Sequence, residues 1–236
     1  MERIRLASFV SDDAAYAEMR ASFEASGFVP PLVAYEVLRD EKDDPFRAIT
    51  RLGQLDVDLA VLVHQDVRCD QGHGIDDLIA AVGGLDPSWA VAGNAGVVAD
   101  GTQIRNLVDP WGATFAGDLP RRVLTLDENL LVLRPARRPR CSAPLSGFHL
   151  YAADVCLNAE RDGSTAWVVD FRVAHLSAGD REGWSDAADR FSAVWSADRL
   201  RPTYVPTTVW PIGLARPSLL RRALNHPGIR RRLTAP

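Results

Sequence analysis

LAVLVHQD, residues 59–66, sets five apolar residues in a row and then three polar ones. Nothing alternates from Leu59 to Val63, so neither face of this segment is built to meet water. An unbroken apolar run of that length suits a strand covered on both faces, as in a parallel sheet. His64, Gln65 and Asp66 then fall at the carboxyl end of that strand, the place where open α/β sheets bind their ligands.

The flanking sequence reads as strand and helix in turn. Ile4 to Val10 is a short apolar strand, after which Asp12 or Asp13 offers an N-cap for a helix with Ala15, Met19 and Phe23 on one face and Gly27 as its stop. Leu32 to Val37 is a second strand. Asp44 and Pro45 then give the cap-then-proline start of a helix that turns Phe46, Ile49 and Leu52 inward. Beyond the 59–63 strand, Ile75, Leu78, Ile79 and Val82 mark a third helix.

From there the pattern becomes mixed. Trp89 to Ala92 returns to strand, and Asp100 and Gly101 supply a hairpin turn between VVA and QIR. Val123 to Leu133 reads as strand or strand-turn-strand, residues 149 to 162 as a helix closed by Gly163, and Ala166 to Ala174 as an apolar strand delivering His175. Trp184, Ala188, Phe191 and Trp195 follow at helical spacing. Prolines at 202, 206, 211, 217 and 227 break up the remainder, so residues 1–200 read as one domain and 201–236 as a basic, proline-interrupted extension.

Composition bounds the function. Of the 236 residues, 47% are hydrophobic and 25% charged, enough to bury a core and too apolar for a disordered chain. The net charge of −4 is unevenly spread: residues 201–236 hold seven arginines and no Asp or Glu, so the body is acidic. An acidic body lacks the basic stripe that nucleic-acid binding needs. The arginine-rich end, with Leu219, Leu220, Leu224, Ile229 and Leu233 interleaved, fits either a weak contact with an anionic membrane surface or a helix packed on the body. An odd set of three cysteines, Cys69, Cys141 and Cys156, fits a reducing cytoplasm, and no run is long enough for a signal sequence or a membrane span.

Asp66 and His175 both end predicted strands, and in one sheet such ends converge. A carboxylate with an imidazole suits Mn²⁺ or Mg²⁺, with substrate phosphates completing the shell. The same two residues also read as a turn-capping Asp and a hydrogen-bonded loop histidine. Asp154, in LYAADVCLNA, reads either as a general base near the cleft or as a carboxylate facing water, and its neighbours Ala152, Ala153 and Val155 do not decide.

Four ordered blocks carry a resemblance: LVHQDV at 62–67, VLTLDENLLVLR at 123–134, GFHLYAADVCLNAERDG at 147–163 and VAHLSAG at 173–179. Together, over roughly residues 4–195, they resemble the glycosyltransferase-like branch of the family 2 glycosyltransferases. The resemblance implies a GT-A fold: an α/β nucleotide-sugar-binding domain, with a central mainly parallel sheet flanked by helices and a mixed C-terminal half. It implies Asp66 and His175 as metal ligands and Asp154 as catalytic base. It also implies Ser11, Asp12, His64 and Gln65 at the nucleotide sugar, and Phe148, His149 and Tyr151 on the acceptor side.

The activity so implied is inverting transfer of a sugar from a UDP- or GDP-sugar to an acceptor hydroxyl, dependent on Mn²⁺ or Mg²⁺. The sequence departs from the family pattern at Ala153, where many relatives carry Glu, and at His64, where the wider group carries Asp. AITRLGQ lacks the frequent Asn, and Cys141-Ser142 replaces a common Phe-Asp. These departures leave open a catalytically silent nucleotide-sugar-binding module. A third reading is a metal-dependent hydrolase using His64, Asp66 and His175.

Overall fold

The computed structural model describes residues 3–39, 44–70, 72–110, 112–177, 182–197, 201–226 and 228. Its first half follows the alternation read above: β1 (Ile4–Phe9), α1 (Asp13–Ala25), β2 (Val33–Leu38), α2 (Pro45–Leu52), β3 (Leu59–Val63), β4 (Val67–Cys69) and α3 (Ile75–Gly83). Asp12 caps α1 by accepting from the amides of Ala14 and Ala15, and Asp44 caps α2 at Phe46. Each cap satisfies amides that a helix start leaves orphaned.

The second half is strand-rich: β5 (Trp89–Gly93), β6 (Ala95–Val97), β7 (Gln103–Asp109), β8 (Gly112–Ala116), β9 (Arg121–Val123), β10 (Thr125–Leu126) and β11 (Leu130–Leu133). After these come α4 (Tyr151–Arg161), β12 (Thr165–Val168), β13 (Val173–His175), α5 (Trp184–Ser196), β14 (Thr203–Val205), β15 (Ile212–Leu214) and α6 (Ser218–Leu224). The 123–133 segment is strand-turn-strand, and Gly101, at φ +93°, makes the β6–β7 turn.

Seven strands form the main sheet in the order β2-β1-β3-β11-β5-β12-β9. β1 pairs in parallel with β2 and β3, and β12 with β5, while β11 and β9 run against their neighbours. The sheet is therefore mainly parallel, and β3 lies inside it with all five residues buried. Its side chains divide by twos, as a strand requires. Ala60 and Leu62 join the core built with Phe46 and Ile49 of α2, Tyr151 and Val155 of α4, and Phe191 of α5. Leu59, Val61 and Val63 join the opposite core, with Met19 and Phe23 of α1 and Leu78 of α3.

A second sheet, β10-β6-β7-β13-β4 with β8 on β7, stands against the first. Here the 166–174 expectation is corrected, for the run is two strands in two sheets. β12 ends at Val168, and β13 pairs with β7 and β4 instead. Asp170 and Arg172 lie at the break. Asp170 accepts from Asn106 Nδ2 at 3.0 Å and Arg172 pairs with Asp70, partners that a strand continuing in the first sheet could not reach. His175 therefore approaches β3 from the second sheet.

The start of the 149–162 helix is also corrected, to Tyr151, because Leu150 turns left-handed at φ +70°. All three cysteines are buried and free. Among the described residues no helix is long and apolar enough to cross a membrane. Val205, Ile212 and Leu214 join the core that contains Phe191 and Trp195, whereas α6 buries none of its residues and leaves Leu219 79% exposed. Ile229, Leu233 and the arginines at 230–232 lie outside the described residues.

Candidate functional site

A cleft of about 670 Å³ opens where the two sheets meet. The ends of β1 and β3 form one wall, with Ser11, His64, Gln65 and Asp66. The 127–129 turn between β10 and β11 forms another, and β13 and β7 close the far side with His175, Ser177, Arg105 and Asp109. The segment entering α4 contributes Phe148, His149 and Leu150.

His64, Asp66 and His175 each bring one potential ligand atom, and these atoms all lie within 4.8 Å of one another. His175 Nε2 is 3.4 Å from Asp66 Oδ2 and 3.5 Å from Ser177 Oγ. Burial works to raise the Asp66 carboxyl, but hydrogen bonds from His175 and Ser177 and the charge of the two histidines hold it well below the usual carboxylate range. For His175 burial works to lower the pKa, and the hydrogen bond and charge of Asp66 overcome it, leaving it raised. His64 is lowered, since burial outweighs the pull of Asp66. A neutral His64 is what metal ligation requires, and the proton shared by His175 and Asp66 is one a divalent cation would displace.

Tyr151 orients His64. Its hydroxyl lies 2.6 Å from His64 Nε2 and donates to the Glu128 carbonyl at 3.2 Å. The hydroxyl thereby engages Nε2, and Nδ1 is the nitrogen left to ligate. Fixing the tautomer through the far nitrogen is how proteins commonly hold metal-binding histidines. Two imidazoles and a carboxylate suit Mn²⁺ better than the oxygen-preferring Mg²⁺, so the residues present fit the implied group. His64, given above to the nucleotide sugar, lies in one cluster with the two implied metal ligands.

Other predicted residues have more local tasks. Gln65 Oε1 accepts from the amides of Ser11 and Asp12 at 2.8 and 3.0 Å, and its Nε2 donates to Ser11 Oγ at 2.8 Å. Gln65 thus clamps the β1–α1 loop to the end of β3. Ser11 faces the cleft, while the Asp12 carboxylate is engaged in its helix cap. Phe148, 60% exposed, meets the Phe9 ring edge-on at 5.3 Å, and His149 Nε2 is 2.7 Å from the Glu182 carbonyl. Tyr151 stands behind His64 rather than on the acceptor side, with its side chain fully buried.

Asp154 is set apart from these residues. It is fully buried and absent from the cleft wall. Its Oδ2 accepts from Ser142 N at 2.6 Å and Asn158 Nδ2 at 3.2 Å; its Oδ1 accepts from Ser142 Oγ at 2.8 Å and Trp195 Nε1 at 2.7 Å. Burial raises its pKa and these donors pull it back. A carboxylate enclosed by four donors ties α4 to α5 and to the 142 loop, and none of these four bonds comes from the cleft wall.

Asp127, Glu128, Arg105, Asp109 and Glu182 also line the cleft and were missed. Asp127 and Glu128 had a signal, since DEN interrupts an otherwise apolar TL…LLVL. Among the described lining residues, Arg105 is the one permanent cation against several carboxyl groups. An anionic diphosphate would be repelled there unless a cation came with it.

No family model matches this sequence. A curated protein, ATP synthase subunits region ORF 6 of Fuscovulum blasticum, is 33% identical over 186 residues, covering 71% of this chain and 73% of its own. Among solved structures, the mannosyltransferase PcManGT of Pyrobaculum calidifontis, in complex with GDP-Man and Mn²⁺, aligns at a TM-score of 0.50 and 12% identity. That alignment covers 81% of this chain and 61% of that one. A glycosyltransferase involved in glycosylation of the major capsid of PBCV-1 aligns at 0.45 and 10% identity, over 76% of this chain and 95% of its own. At 12% identity the property shared with PcManGT is the fold. The chain thus has the GT-A-like α/β fold of glycosyltransferases and belongs to the family of the Fuscovulum blasticum ORF 6 protein.

Proposed function

We propose that the chain is a metal-dependent glycosyltransferase of the family 2 type, moving a sugar with inversion from a UDP- or GDP-sugar to an acceptor hydroxyl. The observation that carries this reading is the His64–Asp66–His175 cluster at the end of β3, facing a carboxyl-rich cleft. Mn²⁺ held there would neutralise the departing nucleoside diphosphate, the charge-stabilising part of the chemistry. The PcManGT structure, similar in fold, is a complex with GDP-Man and Mn²⁺, which supports this reading.

The chain's own residues supply the rest. Gln65 keeps the Ser11 loop in place for the nucleotide, Tyr151 holds the His64 tautomer, and Phe148 offers an exposed ring at the acceptor end. The second reading, a silent nucleotide-sugar-binding module, draws on the enclosure of Asp154, which leaves the cleft without the base that the resemblance implied. Release of nucleoside diphosphate from a donor separates the two.

Isothermal titration of UDP and GDP tests the metal assignment. We expect binding in Mn²⁺ to weaken on adding excess EDTA, and Asp66→Ala to weaken it by at least roughly 100-fold, since loss of even an outer-shell partner costs 10–100-fold. Equal affinity in EDTA for the unaltered chain refutes it.

A further inference from the structure

Glu128 is the second residue of the turn joining β10 to β11, and that turn sits against the proposed metal site: His64 N donates to the Asn129 carbonyl at 3.1 Å. Each of the other cleft acids has a partner. Asp66 faces His175. Asp127 Oδ1 is used by its own turn, accepting from Glu128 N at 2.7 Å and from Asn129 N and Nδ2 at 3.3 Å. Asp109 and Glu182 each have partners. Glu128 differs, because its Oε1 is buried and has no hydrogen-bond partner among the described residues.

A buried carboxyl oxygen with an unused lone pair costs stability unless something outside the chain uses it. Glu128 stands beside the first turn of α4, where Leu150, the residue before the helix, provides no side-chain cap. The amides of Leu150, Tyr151 and Ala152 act on its carboxyl group and favour the anion. Burial and the neighbouring Asp127 work the other way and prevail, raising the pKa to about 8. Such a group is poised to take up and release a proton near neutral pH.

From this placement we infer that Glu128 is the catalytic base of the cleft, accepting the proton of the acceptor hydroxyl. The assignment rests on the transferase reading above. In the step, the acceptor oxygen bonds to the anomeric carbon of the donor sugar as its proton passes to the Glu128 carboxylate. The bond from that carbon to the diphosphate breaks, and its electron pair leaves on the phosphate oxygen. Asp154 takes no part beyond holding the helix that frames the site.

The experiment uses the full chain in Mn²⁺ with UDP-glucose and GDP-mannose as donors and water as the acceptor, reading nucleoside diphosphate release. Glu128→Gln keeps the shape and a carbonyl for the α4 amides but cannot accept the proton. Release should slow roughly 10²- to 10⁴-fold, while donor affinity by titration moves less than about threefold, as expected for an interaction made only in the transition state. Sodium azide attacks without losing a proton, so it should restore release in the variant and yield a glycosyl azide, which a merely structural glutamate would not predict.

Release at the unaltered rate by Glu128→Gln, or a slow variant that azide does not restore, overturns the assignment of Glu128 alone. If the unaltered chain binds either donor with Mn²⁺ yet releases no diphosphate, the silent-module reading stands and the base falls with the transferase. Glu128→Asp, which shortens the side chain without removing the carboxylate, should retain more activity than the amide, and the reverse order also overturns the proposal.

Discussion

Asp154 sits in the first turn of α4 and Glu128 beside that turn, and their surroundings are opposite. Asp154 is enclosed, with four donors on two oxygens and no place on the cleft wall. Glu128 lies on the wall with one oxygen unused. A polar group that the fold satisfies completely has nothing left to offer a substrate, whereas an unsatisfied one carries a cost that function can explain. By this measure Asp154, which the sequence resemblance singles out, reads as scaffold, and Glu128 is the carboxylate we propose for the chemistry.

Asp154→Asn should produce the largest stability effect. The amide nitrogen can replace Oδ1, where the Ser142 hydroxyl can rotate to accept, but the Trp195 N–H then faces another N–H. At Oδ2 it would face Ser142 N and Asn158 Nδ2 instead. Leaving buried donors unpaired should cost about 3 kcal/mol, lowering Tm by roughly 6–12 °C in a chain of this length. The comparison requires that diphosphate release per folded molecule stay near that of the unaltered chain. A stable variant with a collapsed rate would return Asp154 to the chemistry.

Tyr151→Phe tests the cleft side. It removes the hydroxyl that binds His64 Nε2 and the Glu128 carbonyl, leaving the ring in its buried packing. With the tautomer no longer fixed, Mn²⁺ affinity should fall about 10- to 100-fold while the core stays intact. Unchanged Mn²⁺ affinity by titration would remove Tyr151 from the site.

Much of this arrangement could be read from residue order. The unbroken LAVLV forecast an interior strand, and its polar end forecast the cleft, because a strand buried on both faces admits few alternatives. The full burial of α4 from Tyr151 to Ala159 was not settled by LYAADVCLNA, where Asp154 could equally have faced water. A buried Asp must then find donors, but Ser142 and Trp195 lie 12 and 41 residues away, and no local pattern announces them. The passage of the chain to the second sheet before His175 goes with pairings of Asp170 and Arg172 to partners 64 and 102 residues away. Glu128 stayed hidden for another reason: Asp-Glu-Asn between two strands is ordinary turn composition, and only the enclosure of one oxygen in three dimensions sets it apart.

The smallest predicted effect concerns pH and bears on whether Glu128 is strained as described. Its carboxyl is raised to about 8 in the folded chain, so the folded state holds this proton more tightly than the unfolded one. For a group raised in this way, the stabilising contribution is complete below the ordinary carboxyl range and is lost as pH climbs toward 8. The sign is the reverse of that for a salt-bridged carboxylate. Because the folded chain can relax around the new charge, the loss should be roughly 1–2 kcal/mol, or about 2–8 °C in Tm. The measurement is thermal melting in EDTA from pH 5 to pH 9, for the unaltered chain and Glu128→Gln, so that metal binding does not intrude. Gln carries no proton to lose, so the two curves should separate as pH rises, with the variant the more stable at pH 9. Parallel curves would mean that Glu128 ionises as an ordinary surface carboxylate, and the contrast with Asp154 would lose its physical basis.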